Sequence, residues 1–279
     1  MKITALVENK SGGTTHGANH TVISGLKPTG LRAVHGLSLY IETPNHKILF
    51  DLGPDKTLFD NSAARGIDLT AVDTVIISHG HYDHGGPLEQ FLEINHTAKV
   101  YVQRKAFQKH LARVLLLTVN VGIDATFLNH PQIVLTDGDF KIDSELQLFT
   151  VSETSKCYSE ANDTLYTDGG KDTFSHEQNL IISGDTNVLF TGCGHTGIVN
   201  IMEKAAEYRP SVCIGGYHLF NPTTKKTVSS DLLDAIAEAL SGYDTRYYTC
   251  HCTGEKAYRH LAARVSGMSY LACGDTIDV

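Results

Sequence analysis

The order of strand-like and helix-like segments constrains the fold of this chain more than any other feature. In each half, short apolar runs typical of mixed strands come first, and strand then alternates with helix. This order predicts a mixed α/β (α+β) fold, a four-layer αββα sandwich in which two sheets pack together with helices outside. At 279 residues the chain is within the range of one large layered domain, so we expect a single domain, 1–279.

Hydrophobic periodicity and turn residues locate the individual elements. The expected strands are 3–7, 37–42, 47–50, 74–78, 133–136, 146–151, 179–183, 188–191, 212–215, 246–250 and 269–272. The expected helices are 87–94, 104–117, 198–208, 231–240 and 255–265. The polar stretch 152–175 is expected to be a long surface loop, and a hairpin is expected to turn at Gly184-Asp185.

Composition narrows the class of partner. A formal net charge of −8 and a pI near 6.0 argue against a nucleic-acid partner or an anionic membrane, because both favour a basic surface. The N-terminal residues lack the apolar core of a signal peptide, and no apolar run approaches a membrane span. The six cysteines have no disulfide-scaffold spacing. We therefore expect a cytoplasmic protein with free thiols and a small-molecule substrate.

The segment 79–84, His-Gly-His-Tyr-Asp-His, follows a buried strand directly. Ligands bind at such strand ends in layered α/β folds. His79 and His81 are one residue apart and can point the same way, and Asp83 and His84 follow in a turn that ends in two glycines. Imidazole and carboxylate donors suit zinc, iron or manganese. Four ligands in so short a turn are too many for one ion, so the pattern predicts a two-metal centre.

Two later loops carry further candidate ligands. His195, in Gly-Cys-Gly-His-Thr-Gly, and His251, in Thr-Cys-His-Cys-Thr-Gly, each follow a strand and precede a helix. Alone, each is more often a hydrogen-bonded loop histidine, but the 79–84 segment makes a ligand role the better interpretation. Cys193 is either a ligand or a bystander, whereas Cys250 and Cys252 are expected to face the core.

Four other residues lie where they can support the site. Asp51 ends a buried strand and is expected to orient a ligand histidine. His218 also ends a strand and can face substrate. His176 and Glu177 open the strand after the long loop and are candidates for extra ligands or acid–base groups. For all but Asp51, a purely structural role is an equal alternative.

These motifs together resemble the metallo-β-lactamase-fold superfamily. The resemblance is carried by Phe-Asp-Leu-Gly at 50–53 and by the H-x-H-x-D-H pattern within 78–86, and further blocks at 191–200, 214–219 and 251–254 extend it along the chain. The blocks are similar to a branch that holds an archaeal dihydropterin–(ribofuranosyl)aminobenzene phosphate synthase and related metal-dependent hydrolases.

The resemblance implies a ligand set for each of two metals at the edge of an αββα sandwich. By motif, His79, His81 and His195 would hold one metal, and Asp83, His84 and His251 the other. Many relatives carry a bridging aspartate where this chain has Cys193. With Ser175-His176-Glu177 ahead of that strand, the third ligand of the first metal is either His195 or His176.

The function expected from these residues is metal-dependent hydrolysis. A mono- or dinuclear centre of one or two zinc ions, with manganese or iron as alternatives, would activate water against a small, phosphorylated or unphosphorylated substrate. Asp83, besides being a ligand, would orient that water as the catalytic residue. The alternatives are a transferase that joins a pterin to a ribosyl-aminobenzene phosphate and, less favoured, a di-iron redox enzyme.

Overall fold

The computed structural model describes residues 1–16, 22–25, 30–114 and 116–279, with backbone alone for 22–25. The chain divides into two compact units. The first unit comprises Met1–Phe107, Ile123–Thr136 and Leu271–Val279, and the second comprises Gln108–Gly122 and Asp137–Tyr270.

The described residues form strands and helices along both units. In chain order the strands are β1 (Lys2–Val7), β2 (Thr14–His16), β3 (Val22–Gly25), β4 (Ser38–Glu42), β5 (Lys47–Phe50), β6 (Thr74–Ile77), β7 (Lys99–Gln103), β8 (His110–Val114), β9 (Leu117–Asn120), β10 (Ile133–Thr136), β11 (Phe140–Lys141), β12 (Leu146–Phe149), β13 (Leu165–Thr167), β14 (Gly170–Lys171), β15 (Asn179–Ile182), β16 (Val188–Thr191), β17 (Val212–Gly215), β18 (Phe220–Asn221), β19 (Lys226–Thr227), β20 (Arg246–Thr249), β21 (Met268–Tyr270) and β22 (Thr276–Asp278). The α-helices are α1 (Thr57–Ala64), α2 (Tyr82–Gly85), α3 (Leu88–Ile94), α4 (Ile198–Ala205), α5 (Ser230–Ser241) and α6 (Glu255–Ala262).

The first unit is built on one mixed sheet. Its strand order is β10-β7-β6-β5-β4-β1-β22-β2-β3, with β5, β6, β7 and β10 parallel to one another. Alternate residues of these strands, such as Leu49, Val75 and Val100, form one apolar cluster with Leu58 of α1 and Phe91 of α3. Because β5 and β6 are parallel neighbours, the loops that leave them lie side by side at one edge of the sheet.

The second unit has a smaller sheet, of seven described strands, and its own core. The order is β11-β12-β15-β16-β17-β20-β21, in which β16, β17, β20 and β21 are parallel. Helices α4, α5 and α6 each place an apolar face in one cluster with the sheet, through Met202, Ile236 and Leu261 against Leu189 and Tyr247. The loops after β16, β17 and β20 therefore leave the same edge of this sheet.

The helix expected at 104–117 is wrong for the residues that the structure describes, with Leu115 outside them. A short 3-10 turn, Arg104–Phe107, leads into the antiparallel pair β8 and β9. Strand β8 also pairs with β13, and the sheet order is β14-β13-β8-β9. One of the two partners of β8 thus lies more than 50 residues away in the chain, and these strand pairings outweighed the local helical preference of the leucine run.

The long loop expected at 152–175 is also wrong in part. Within it lie a 3-10 turn, Glu160–Thr164, and the hairpin of β13 and β14, in which Tyr166 pairs with Lys171. Helix α1 and the C-terminal strand β22, which pairs with β1 and β2, were not anticipated either. Most other boundaries were confirmed to within two residues or so, including the hairpin of β15 and β16 that turns at Gly184-Asp185.

Across the ranges that the structure describes, none of the helices combines the length and the apolar character required to span a bilayer.

We predict that Gly215→Ala strongly destabilises the protein. Gly215 pairs with Thr191 across β16 and β17, and an added Cβ would lie 1.9 Å from the Thr191 carbonyl oxygen. Because the strands would have to separate, we expect the free energy of unfolding to fall by about 3 kcal/mol. Urea denaturation measures this. The matched control is Gly184→Ala, where the nearest atom to the new Cβ lies 3.9 Å away, and equal midpoints for the two variants would contradict the prediction.

Candidate metal centre

Asp51 organises the edge of the first unit. It follows β5 directly, is fully buried and has a left-handed backbone, with φ of 63°. Its Oδ1 accepts a hydrogen bond from the Ser78 backbone N–H at 2.7 Å, and its Oδ2 accepts one from the Ser78 hydroxyl at 2.7 Å. His84 Nδ1 lies 2.6 Å from the same Oδ2. One carboxylate thus connects the ends of β5 and β6 to the turn that follows.

This hydrogen-bond chain assigns the tautomers of two histidines. An ionised carboxylate can only accept, so His84 Nδ1 carries the proton, and so does the Ser78 hydroxyl that donates to Asp51. The Ser78 oxygen is then the acceptor for His79 Nδ1, 2.9 Å away. Both His79 and His84 are therefore left with the lone pair on Nε2, the form in which imidazole binds a metal.

The donor atoms of the 79–84 segment converge. His79 Nε2 lies 3.0 Å from His81 Nδ1, and Asp83 Oδ2 lies 3.8 Å from His84 Nε2 and 3.3 Å from His35 Nε2. In a tetrahedral zinc site with Zn–N of about 2.0–2.1 Å, two ligand atoms are about 3.3 Å apart. The spacings and the donor types fit one or two divalent ions. His35, interpreted from the sequence as structural, contacts the predicted ligand Asp83.

The turn that carries these ligands is held by backbone contacts. The Leu52 N–H donates to the His84 carbonyl at 2.7 Å, and the Gly86 N–H donates to the Gly53 carbonyl at 3.0 Å. A Cβ at Gly86 would lie 2.2 Å from the Pro54 carbonyl oxygen, so only glycine allows this approach. The ligand turn is thereby fixed against the loop that follows Asp51.

In the second unit, a buried glutamate shapes the loop of His195. Glu177 Oε1 accepts from the His195 N–H at 2.7 Å, and Oε2 accepts from the Thr196 N–H at 2.9 Å and the Thr196 hydroxyl at 2.6 Å. Burial raises the pKa of Glu177, while the bonds from Thr196 and His195 act in the opposite direction. Both carboxylate oxygens are engaged by the loop, so the structure places Glu177 as a support of His195.

His195 is oriented by two further contacts. Its Nδ1 lies 2.8 Å from Asn162 Oδ1, and the Asn162 amide also donates to the His195 carbonyl at 2.9 Å. The Phe174 ring stacks on the imidazole at a centroid distance of 4.4 Å and an angle of 3°. The Asn162 contact assigns the proton to Nδ1, so His195 Nε2 carries the lone pair.

Two other predicted residues of this unit join His195. His218, with φ of 44°, has its ring 4.1 Å from the His195 ring, and its two ring nitrogens make no hydrogen bond within the described part of the chain. The donor atoms of Cys193, His195 and His218 all lie within 4.8 Å of one another. So do those of Cys193, His251 and Cys252, and His251 has φ of 51°. Cys250 and Cys252 are buried, as expected, and the Cys252 sulfur also lies close to these ligand candidates.

His176 lies in a different group from Glu177. Its Nε2 is 3.2 Å from Asp172 Oδ2, and His110 Nδ1 is also 3.2 Å from that oxygen. Burial of Asp172 acts to raise its pKa, but hydrogen bonds from His110 and His176 outweigh burial and hold the pKa well below the usual range.

Sequence reasoning missed four residues that organise these groups, namely Ser78, His110, Asn162 and Asp172. Ser78 had a usable signal, since it is the last residue before the first histidine. His110 was assigned to a helix and Asp172 to a loop, so neither was considered as a partner of His176. Asn162 has no local signal, because its partner is 33 positions away.

One protein-family pattern matches this chain. The sequence pattern of the metallo-beta-lactamase superfamily matches residues 31–155. An uncharacterized protein of Methanocaldococcus jannaschii is 29% identical over 238 residues, which cover 82% of this chain and 88% of that protein. The 7,8-dihydropterin-6-methyl-4-(beta-D-ribofuranosyl)-aminobenzene-5'-phosphate synthase of the same organism is 28% identical, over 80% of this chain and 82% of the synthase.

A solved structure extends the similarity to the whole fold. The crystal structure of a metal-dependent hydrolase of the beta-lactamase superfamily superposes with a TM-score of 0.79 at 25% identity. The match covers 100% of this chain and 99% of that hydrolase. The fold of this chain is therefore the fold of that hydrolase.

We predict that Glu177→Gln destabilises the loop of His195. A carboxylate has two accepting oxygens, whereas an amide has one oxygen and one NH2 group. The NH2 group would therefore face a buried N–H or hydroxyl that now donates to Glu177. Since hydrogen bonds to charged groups contribute about 1.5–3 kcal/mol each, we expect a loss of about 2–3 kcal/mol in the free energy of unfolding by urea. Glu238→Gln, on the exposed side of α5, is the control and should leave the midpoint unchanged. If Glu177→Gln and the wild-type protein have the same urea midpoint, Glu177 does not stabilise the loop of His195.

Proposed function

We propose that this chain, which belongs to the metallo-beta-lactamase superfamily, is a metal-dependent hydrolase. Its His/Asp centre, with one or two divalent ions, would act on a small substrate, and phosphate esters are the first class to test. The observation that carries the proposal is the 79–84 segment, in which two of the histidines, His79 and His84, are oriented by one buried carboxylate, Asp51. Such an arrangement has few uses other than holding metal.

The proposed ligands follow from the donor atoms. In the first unit they are His79, His81, Asp83 and His84, and in the second unit the sequence pattern adds His195 and His251. A bound divalent ion supplies Lewis acidity and makes water nucleophilic near neutral pH.

The chain's own side chains would prepare that chemistry. Asp51 keeps His84 in the ligand tautomer, and Ser78 does the same for His79. Asp83 Oδ2, 3.3 Å from His35 Nε2, is suited to orient water as the catalytic carboxylate. His218, buried and with two ring nitrogens that make no hydrogen bond within the described residues, is suited to give a proton to a leaving group or to bind an anionic substituent.

Zinc is the metal we propose, with manganese or iron as alternatives. Imidazole nitrogens dominate the donor set, and imidazole with a carboxylate suits zinc in hydrolytic sites. We also retain a small molecule as the partner class, since the formal charge of −8 does not favour a nucleic acid or an anionic membrane surface.

One specific observation supports a second function, that of a transferase. The 28% identity to the synthase of Methanocaldococcus jannaschii extends over 80% of this chain. The same scaffold would then bind a pterin and a ribosyl-aminobenzene phosphate. Incubating the metal-loaded protein with both compounds and analysing the mixture by mass spectrometry separates the two functions, because only the transferase gives a joined product.

We predict that metal removal abolishes activity reversibly. Protein purified in a zinc-supplemented medium should contain one or two divalent ions and should hydrolyse bis(p-nitrophenyl) phosphate or p-nitrophenyl acetate. EDTA treatment should abolish turnover, and zinc or manganese should restore it. Asp83→Asn should lower kcat/KM by about 100-fold or more. Replacing a residue that only hydrogen-bonds to a metal ligand already lowers metal affinity or activity by about 10–100-fold.

Asp60→Asn, on the exposed face of α1, is the control for that substitution and should keep full activity. A protein that holds no metal after supplemented purification, or whose turnover is indifferent to EDTA, would contradict the hydrolase proposal.

We further predict that Asp51→Asn weakens metal binding without abolishing the fold. The amide holds His84 in its Nδ1–H tautomer less firmly than the carboxylate does. The lone pair on His84 Nε2 is then available to a metal ion for a smaller fraction of the time. The dissociation constant for Zn²⁺, measured by competition with a chromogenic chelator, should rise by about 10–100-fold. Asp73→Asn breaks an exposed contact of the same kind, with His46, and should leave the constant unchanged. Equal Zn²⁺ dissociation constants for the two variants would show that Asp51 does not support metal binding.

A further inference from the structure

The loop that enters β4 lies directly on Asp83. His35, Gly36 and Leu37 are its last residues, immediately before Ser38. The Leu37 N–H donates to the Asp83 carbonyl at 3.2 Å. Gly36 has φ of 151°, and an added Cβ there would lie 2.7 Å from the same carbonyl oxygen. The backbone of this loop is thus packed against the backbone of the proposed catalytic residue.

The same loop is anchored to the residues that follow β1. The Val34 N–H donates to the Glu8 carbonyl at 3.1 Å, and the Gly36 N–H donates to Asn9 Oδ1 at 3.2 Å. His35 therefore lies between two anchored residues, so the backbone on both sides fixes where its side chain starts. All these residues belong to the first unit, as Asp83 does.

The His35 ring reaches the carboxylate of Asp83. His35 Nε2 lies 3.3 Å from Asp83 Oδ2, and His84 Nε2 lies 3.8 Å from the same oxygen. The proton of His84 is on Nδ1, where Asp51 accepts it, so His84 Nε2 has only a lone pair. A carboxylate oxygen can only accept a hydrogen bond. Of these two rings, His35 is therefore the one that can donate to Asp83.

The exposure of the two side chains indicates which of them the contact serves. The His35 side chain is 41% exposed, whereas that of Asp83 is 11% exposed. A ring as exposed as this one contributes little to an apolar core, and its substitution should leave the stability of the fold unchanged. A carboxylate largely removed from water gains more from a hydrogen-bond donor. The contact thus matters for Asp83 more than for packing.

We propose that His35 is a positioning residue, which holds the Asp83 carboxylate in the orientation that binds metal and directs water. The inference rests on the proposed metal centre but is the same for hydrolysis and for transfer. Residues that hydrogen-bond to a metal ligand orient it, and their loss lowers metal affinity or activity by about 10–100-fold. His35 does for Asp83 what Asp51 does for His84.

The test compares His35→Ala with His35→Gln, with bis(p-nitrophenyl) phosphate as the substrate. Alanine removes the donor, so we expect the Zn²⁺ dissociation constant to rise by about 10-fold and kcat at saturating zinc to fall by about 10–100-fold. KM should stay unchanged, because His35 acts on Asp83 and not on the substrate. Glutamine keeps an N–H donor on a side chain of similar reach, so it should restore most of the affinity and of kcat.

The matched control is His46→Ala, which breaks another His–Asp contact of the first unit. His46 Nδ1 lies 3.0 Å from Asp73 Oδ1, and its loss should leave the Zn²⁺ dissociation constant and kcat at the wild-type values. Urea midpoints equal to that of the wild-type protein for both His35 variants would show that the losses do not come from unfolding.

Two results would overturn the role of His35 in a wild-type protein that binds zinc. One is His35→Ala with the wild-type dissociation constant and kcat, and the other is His35→Gln as impaired as His35→Ala. An anomalous zinc peak about 2.0–2.1 Å from His35 Nε2 in crystals would also overturn it, since His35 would then be a ligand.

Failure of the proposed function would be visible in the wild-type protein itself. If the wild-type protein binds zinc but hydrolyses none of the substrates, the hydrolase proposal is wrong, and the dissociation constants alone decide the role of His35. If it binds no zinc, the proposed metal centre is wrong, and the role of His35 is wrong with it.

Discussion

The ligand turn of the first unit depends on one buried carboxylate. Asp51 accepts hydrogen bonds from the Ser78 backbone, the Ser78 hydroxyl and His84, and through Ser78 it also sets the proton on His79. An isolated carboxylate in this position would be strongly destabilising, so the site is stable only with all these donors present. The strained left-handed backbone at Asp51 is maintained by the same contacts. Fold and candidate chemistry thus rest on the same group.

The second unit repeats this design with a different residue. Glu177 receives two backbone N–H groups and one hydroxyl from the loop of His195. Asp51 receives one backbone N–H and one hydroxyl from Ser78 and an imidazole N–H from His84. Two residues of this unit with a left-handed backbone, His218 and His251, are also candidate site residues. Strain of this kind persists where the surroundings over-determine the backbone, and it clusters at functional sites. Each unit therefore commits buried carboxylates to positioning imidazoles.

The similarity to the metallo-beta-lactamase superfamily leaves one chemical question specific to this chain. Cys193 stands where many relatives were expected to carry a bridging aspartate, and its sulfur lies within 4.8 Å of donor atoms of His195 and His218 and of donor atoms of His251 and Cys252. Thiolate and imidazole together are softer donors than carboxylate and imidazole, and they favour zinc over manganese or magnesium. The similarity to both a metal-dependent hydrolase and a synthase shows that the fold serves more than one reaction.

The sequence by itself determined the strands that precede the candidate ligands, the mixed α/β class and the resemblance to one superfamily, because local apolar runs and the H-x-H-x-D-H spacing are encoded within a few residues. It also located Asp51, since a carboxylate at the end of a buried strand needs donors. Only the tertiary structure decided the pairing of β8 with β13, the support of His195 by Glu177 and Asn162, and the meeting of His110 with Asp172 and His176. These contacts join residues far apart in the chain, and their energy comes from burial and hydrogen bonds that no local pattern records.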